Sequence, residues 1–213
     1  MAGLGKDGAM TNTKRIRPAA GKAPGSTVHR LKTTLRGSQS PIWRRLEVPS
    51  DSTLEQLHQI IQTAFGWEDY HMWVFQTPGG DYGLADRELG HRNAASQRLG
   101  KAAPRPGTRL SYTYDFGDDW EHDILIEAVT DAEPATAYPH CLAGRGACPP
   151  EDCGGIWGYQ DLLEILADPG HDEHAERLEW LGLDSATQFD PAAFDVAEVN
   201  LALSPLATVL RKS

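Results

Sequence analysis

Apolar and polar residues alternate from Val28 to Arg36, with Leu31, Thr33 and Leu35 set against Arg30, Lys32, Thr34 and Arg36. A period of two marks a half-exposed strand. Gly37 to Pro41 is a turn, and Ile42 to Val48 reads as a second strand closed by Pro49. The period then lengthens. Ser52 and Glu55 have the spacing of a capping box, and Leu54, Leu57, Ile60, Ile61 and Phe65 fall on one helical face that runs through Ala64 and stops at Gly66. His58 lies beside that stripe and reads as a packed side chain. His71 to Gln76 is a third strand, Pro78 to Asp81 a turn, and Asp81 to Leu84 a short return. Residues 85–107 are broken by Gly90, Gly100, Pro104, Pro106 and Gly107 and read as a loop of the length often reserved for function.

The cleanest alternation follows. Leu110, Tyr112, Tyr114 and Phe116 share one face of a strand, Gly117-Asp118-Asp119 turns the chain, and Trp120, His122, Ile124 and Ile126 continue the apolar face. This is a β-hairpin. Three helices are expected after it: Tyr159 to Ala167, a second opened by Asp168-Pro169 and running to Leu181, and a third from Asp190-Pro191 through Leu203.

Composition adds limits. The 213 residues are enough for one domain, and a 40% hydrophobic fraction with six Trp is enough for its core. Residues 1–26 are rich in Gly, Ala, Pro and Lys without an apolar period and read as a disordered tail, with Met10 an alternative start. The domain is expected over 27–204, with 205–213 a C-terminal tail. No apolar run is long enough for a membrane span and no secretory h-region opens the chain, so a cytoplasmic protein without membrane attachment is expected. Charge is uneven. Residues 1–48 hold ten Lys/Arg and two Asp/Glu, a balance of +8, and 49–213 hold ten and 28, a balance of −18. Such an acidic body repels phosphate backbones, which leaves nucleic-acid contact open only to the basic segment 1–48. The row Arg30, Lys32, Arg36 and either Arg44 or Arg45 reads mainly as protection of a solvent-facing sheet.

Two constellations carry candidate chemistry. Cys141, Cys148 and Cys153 lie in a segment braced by Gly144, Gly146 and Pro149-Pro150. Three thiols without a secretory signal do not make a disulfide framework. They are structural thiols, ligands of zinc or a similar metal, or, less favoured, redox-reactive thiols, and a tetrahedral zinc needs a fourth ligand, for which His122 is the first choice and His140 or Asp152 the next. A closed site of this kind is structural. The second constellation is acidic: Asp115, Asp118, Asp119, Glu121 and Asp123 around the hairpin turn, with Glu151 and Asp152 nearby in the chain. Turn and capping chemistry explains most of these carboxylates. If the protein is an enzyme, Asp115, Asp118, Glu121, His122, Glu151 and Asp152 are the set to use a metal for hydrolysis. Gly154 to Tyr159 lacks a phosphate-loop lysine and reads as a close approach that packs Trp157 and Tyr159 on the hairpin. His171 and His174 read as a solvated helix start.

The strings PIWRRLEVP, LEQLHQIIQTAFGW, YTYDFGDDWEH, YPHCLAGRGACPPEDCGGIWGY and DPAAFDVAEVN, taken in order over Val28 to Leu203, resemble the plasmid pRiA4b ORF-3-like family, whose members are often labelled passenger TnpR-like proteins of transposable elements. The resemblance implies an α+β fold: a β-grasp-like mixed sheet with one helix packed across it, and here a C-terminal helical layer. It implies little about activity. The resolvase label does not fit the residues, because a recombinase needs arginines to neutralise its phosphate and only Arg145, Arg177, Arg211 and Lys212 follow Arg109. The leading expectation is a non-enzymatic binding or adaptor protein tied to mobile elements, with an unidentified protein partner. The runner-up is a metal-dependent hydrolase, and nucleic-acid binding through the first hairpin comes third.

Overall fold

A computed structural model describes residues 27–210; the expected N-terminal tail and the Met10 start lie outside the described residues. The fold is α+β, built on a mixed eight-stranded sheet. Strand β1 (Thr27–Leu35) pairs with β2 (Trp43–Pro49), and helix α1 (Leu54–Phe65) follows. Next come β3 (Trp73–Thr77), β4 (Gly80–Gly83) and β5 (Arg92–Asn93), then the short α2 (Leu99–Ala102). The hairpin is β6 (Arg109–Tyr114) and β7 (Trp120–Asp131), followed by β8 (His140–Arg145). Helices α3 (Gly155–Ala167), α4 (His174–Leu181) and α5 (Val196–Leu210) complete the chain. The strand order is β5-β4-β3-β6-β7-β1-β2-β8. Every neighbouring pair is antiparallel except β4 with β5.

The alternation read from sequence decides which side chains enter the core. Leu31 and Leu35 of β1, Leu46 and Val48 of β2, Tyr112 and Tyr114 of β6, and Trp120, Ile124 and Ile126 of β7 are all buried on one face. Helix α1 lies against that face with Leu54, Leu57, Ile60 and Ile61 fully covered. Truncating one of these to Ala is expected to cost about 2–5 kcal/mol. The helix is capped one residue later than the spacing indicates. Thr53 accepts from the Gln56 amide while the Gln56 side chain accepts from the Thr53 amide, and Gly66 closes the helix in the left-handed region at φ 85°.

The opposite face of β1, β2 and β7 is a lattice of ion pairs. Arg30 pairs with Glu47, Arg36 with Glu121 and Asp123, and Arg45 with Glu127. Lys32 sits 4.6 Å over the Trp43 ring. The arginines of the basic row are thus matched by carboxylates across the strands and Lys32 by an aromatic ring, in line with the protective reading. Arg45, not Arg44, belongs to it. Arg44 follows the period of Leu46 and Val48 inward and is buried.

Several elements differ from the sequence reading. Cys141 lies on the edge strand β8, not in a loop. Its backbone N–H donates to the Asn200 side chain (2.7 Å) and its carbonyl accepts from the Asn200 amide (2.9 Å), so α5 covers part of that edge. The 85–107 stretch holds β5 and α2. Helix α4 begins at His174 and not at Pro169, because Asp168 and His171 first spend their backbone and side-chain groups on turns. Helix α5 begins at Val196, capped by Asp195, and runs past Leu203 to Leu210. No described helix is long and apolar enough to cross a membrane.

Candidate metal centre

Three stretches distant in sequence are laced together beside the β6 end of the sheet: the link between α1 and β3, the turn out of β6, and the segment after β8. The Trp67 indole N–H donates to the Pro149 carbonyl (3.0 Å), and the Glu68 amide donates to Glu151 (3.1 Å). The Tyr70 amide donates to the Tyr114 hydroxyl (3.0 Å), which in turn donates to Glu151 (2.5 Å). Burial and the neighbouring Glu151 push the Tyr114 phenol well above its ordinary range, so it stays a donor. From the third stretch, Gly155 sits against the hairpin turn with φ +67°, and a Cβ there would lie 2.3 Å from the Asp118 carbonyl oxygen. Only glycine allows that approach. The Gly154 amide donates to Asp118 (3.1 Å), closing the contact.

This lacing brings His71, Asp115 and Asp152 to one point, with a ligand atom of each within 4.8 Å of the others. Asp115 leaves β6 in the left-handed region (φ 56°), donates its N–H to the Met72 carbonyl, and accepts from the Gly117 amide at Oδ1. That leaves Oδ2 facing His71 Nε2 at 3.7 Å. Asp152, also left-handed (φ 58°), brings Oδ1 to 3.1 Å from the same nitrogen. Yet His71 Nε2 is shielded from solvent and makes no hydrogen bond with either carboxylate. At 3.1 Å a hydrogen bond fails on angle alone, so the oxygen lies off the N–H axis. Two ligands each about 2.1 Å from one ion lie about 3.0 Å apart at a right angle and about 3.4 Å apart at the tetrahedral angle. The His71–Asp152 separation of 3.1 Å falls in that range, and the His71–Asp115 separation of 3.7 Å is wider.

The other expected site residues fall elsewhere. His122 is fully buried among Phe65, Trp67 and Tyr112, with Nδ1 2.9 Å from the Trp120 carbonyl. Burial lowers its pKa to about 4, so it is a neutral core side chain. Among the described residues, Cys141, Cys148, Cys153 and His122 supply no three ligand atoms within the radius that His71, Asp115 and Asp152 share. The cysteines are free thiols, and burial raises all three, Cys153 to about 12, which keeps them protonated. His140 turns to Glu47 (3.8 Å). Glu121 is held by Arg36, and Asp118 by Gly154. Trp157 stands exposed on α3, whereas Tyr159 is buried as expected. His171 and His174 spend Nδ1 on local backbone groups. Of the acidic set, Asp115 and Asp152 converge and Glu151 adjoins them. His71 was missed, because it lies in the link before β3, 44 positions before Asp115, and no local spacing marks it.

The family description "Plasmid pRiA4b ORF-3-like protein" matches residues 27–198. The chain belongs to the plasmid pRiA4b ORF-3-like family. It is 40% identical over 185 residues to "Uncharacterized protein y4hQ" of Sinorhizobium fredii (strain NBRC 101917 / NGR234), covering 85% of this chain and 93% of that protein. It also resembles the crystal structure of the protein of unknown function MM3350 from Methanosarcina mazei Go1, with a TM-score of 0.73 and 34% identity, over 82% of this chain and 98% of the other. These relatives of the pRiA4b ORF-3-like protein fix its fold and carry no activity with them.

Proposed function

We propose that this pRiA4b ORF-3-like protein is a metal-dependent hydrolase in which His71, Asp115 and Asp152 hold one divalent first-row ion such as zinc or manganese. The observation that carries the reading is the close approach of a shielded imidazole nitrogen to two carboxylates with which it makes no hydrogen bond. One nitrogen and two oxygen ligands suit such an ion, and three protein ligands leave positions for water and substrate. Asp152 is largely exposed, so that open side faces solvent. In this reading the ion lowers the pKa of its bound water. Glu151, next to Asp152 in the chain and held by Tyr114 and the Glu68 amide, is the carboxylate assigned in this reading to take the proton. The charge of −18 over residues 49–213 favours neutral or cationic substrates over nucleic acids.

The test is calorimetric titration of Zn²⁺ and Mn²⁺ into chelator-treated protein, followed by hydrolysis assays on p-nitrophenyl acetate and bis(p-nitrophenyl) phosphate with and without the ion. One site per chain and metal-dependent turnover, both lost in His71→Ala, are expected. No binding removes the proposal. Binding without turnover on any ester returns the function to a non-enzymatic adaptor, a reading that the exposed Trp157 and Tyr70 side chains would serve as contact points.

A further inference from the structure

At the C-terminus of α1, a second feature shares no residue with the metal centre. Arg44 is only 4% exposed and has no carboxylate partner among the described residues. Its Nε donates to the Ala64 carbonyl at the C-terminus of α1 (2.9 Å), and Nη1 donates to the carbonyls of Trp43, Arg145 and Gly146 (3.0–3.1 Å). Nη2 makes no hydrogen bond with any described residue. The guanidinium is flanked by two rings, with Cζ 5.0 Å from the Phe65 centroid and 4.7 Å from that of Phe194. Cys148 and Cys141 also act on it electrostatically, but burial keeps both thiols protonated, so neither supplies a counter-charge.

A cavity of about 490 Å³ is lined by Arg44, Ala64, Phe65 and Phe194, the same groups the guanidinium touches, together with Val199 and Ala202 of α5. It is therefore the charged end of Arg44 that the cavity reaches. The N-terminal turn of the fifteen-residue α5 borders the same space, adding its partial positive charge. Two carboxylates also border it. Asp195 is spent capping α5, its Oδ1 accepting from the Ala197 and Glu198 amides. Glu198 makes no ion pair among the described residues.

We infer that this cavity binds a small monocarboxylate with an apolar body, its carboxylate taking the two free N–H donors on Arg44 Nη2. A buried cation left without a counter-charge carries a desolvation cost that an anion removes, and a carboxylate matches the guanidinium plane. The apolar lining from Phe65, Phe194, Val199 and Ala202 selects a ligand body that is not highly charged. Asp195 and Glu198 repel a second negative charge, which sets phosphate aside.

The experiment titrates the full-length protein with benzoate, with its neutral isostere benzamide and with inorganic phosphate, following binding by calorimetry and by amide shifts of residues 194–202. Benzoate is expected to bind with a Kd of about 1 mM or below, and benzamide and phosphate at least about tenfold more weakly. Glu198→Gln is expected to tighten benzoate about two- to fivefold without changing benzamide. Ala202→Trp, on an exposed position of α5 that borders the cavity, keeps the fold and is expected to abolish binding. Equal affinity for benzoate and benzamide, stronger binding of phosphate, benzoate binding that survives Ala202→Trp, or no benzoate binding at about 10 mM each overturns the inference.

Discussion

Two histidines thirteen residues apart in the chain meet carboxylates in opposite ways, and the contrast separates framework from site. His58 of α1 is buried and fully satisfied, with Nδ1 2.7 Å from the Tyr112 hydroxyl and Nε2 2.7 Å from Asp69. It stacks on Trp73 at 4.0 Å, and Gln62 donates to the same Tyr112 oxygen. Each polar atom in that network has a partner, so it fastens α1 to β6 and β3. His71, in the link that follows, approaches Asp152 as closely as a partner would and lies 3.7 Å from Asp115, and it bonds to neither. Proximity to a carboxylate is therefore weak as a sign of function. What marks the second imidazole is a shielded ring nitrogen left without a hydrogen-bond partner beside two carboxylates.

The largest expected effect falls on the framework histidine. His58→Ala leaves Tyr112 unpaired in the core and opens a cavity beside Trp73, and is expected to cost about 3 kcal/mol in denaturant unfolding while metal stoichiometry stays at one. An equal loss of metal binding in that variant would erase the contrast. Next comes His71→Ala, expected to weaken Zn²⁺ or Mn²⁺ binding about a hundredfold or more, about 2.7 kcal/mol, while metal-free stability moves by less than about 1 kcal/mol. A large fall in metal-free stability would make His71 a framework residue too.

Acid titration sharpens the same division. Burial lowers the pKa of His58 and of His122 to about 4 from an ordinary 6.5. Between those values the unfolded chain binds the protons that the folded chain refuses, so stability is full above pH 6.5 and is lost as pH falls toward 4. Each imidazole contributes a slope of about 1.4 kcal/mol per pH unit in that window. His122→Gln is expected to halve the combined slope, and an unchanged slope would mean the ring is not a buried neutral group. The smallest effect belongs to the outer face of the sheet. Arg45→Ala removes the Arg45–Glu127 pair, itself partly exposed, and is expected to change stability by less than about 1 kcal/mol, and by less still in high salt.

These contrasts follow the range over which a sequence signal acts. The first hairpin, α1 and the β6–β7 hairpin were legible because alternation and helical spacing are written within a dozen residues. Strand β8 was not. His140 to Arg145 carries small residues and no alternation, and becomes a strand only because β2, nearly a hundred positions earlier, offers an edge. The thiols stand out in the sequence because cysteines are few and their loop is tightly braced, whereas the three ligand atoms that converge within 4.8 Å among the described residues come from His71, Asp115 and Asp152. The close approach expected at Gly154-Gly155 does occur, since both glycines hold the segment on the hairpin turn. Its effect is to deliver Asp152, with Glu151 beside it, to Asp115. Those carboxylates were legible as a candidate set. His71 reaches them only through the lacing of Trp67, Glu68 and Tyr70 to distant partners, which no local spacing encodes.

The direct measurement is the anomalous scattering map of a crystal grown with Mn²⁺. The account requires one peak per chain, about 2.2 Å from His71 Nε2 and from one carboxylate oxygen each of Asp115 and Asp152, with water completing the shell. A peak at the cysteine sulfurs instead, or a native-like Mn²⁺-free map with His71 turned away from both aspartates, would contradict it.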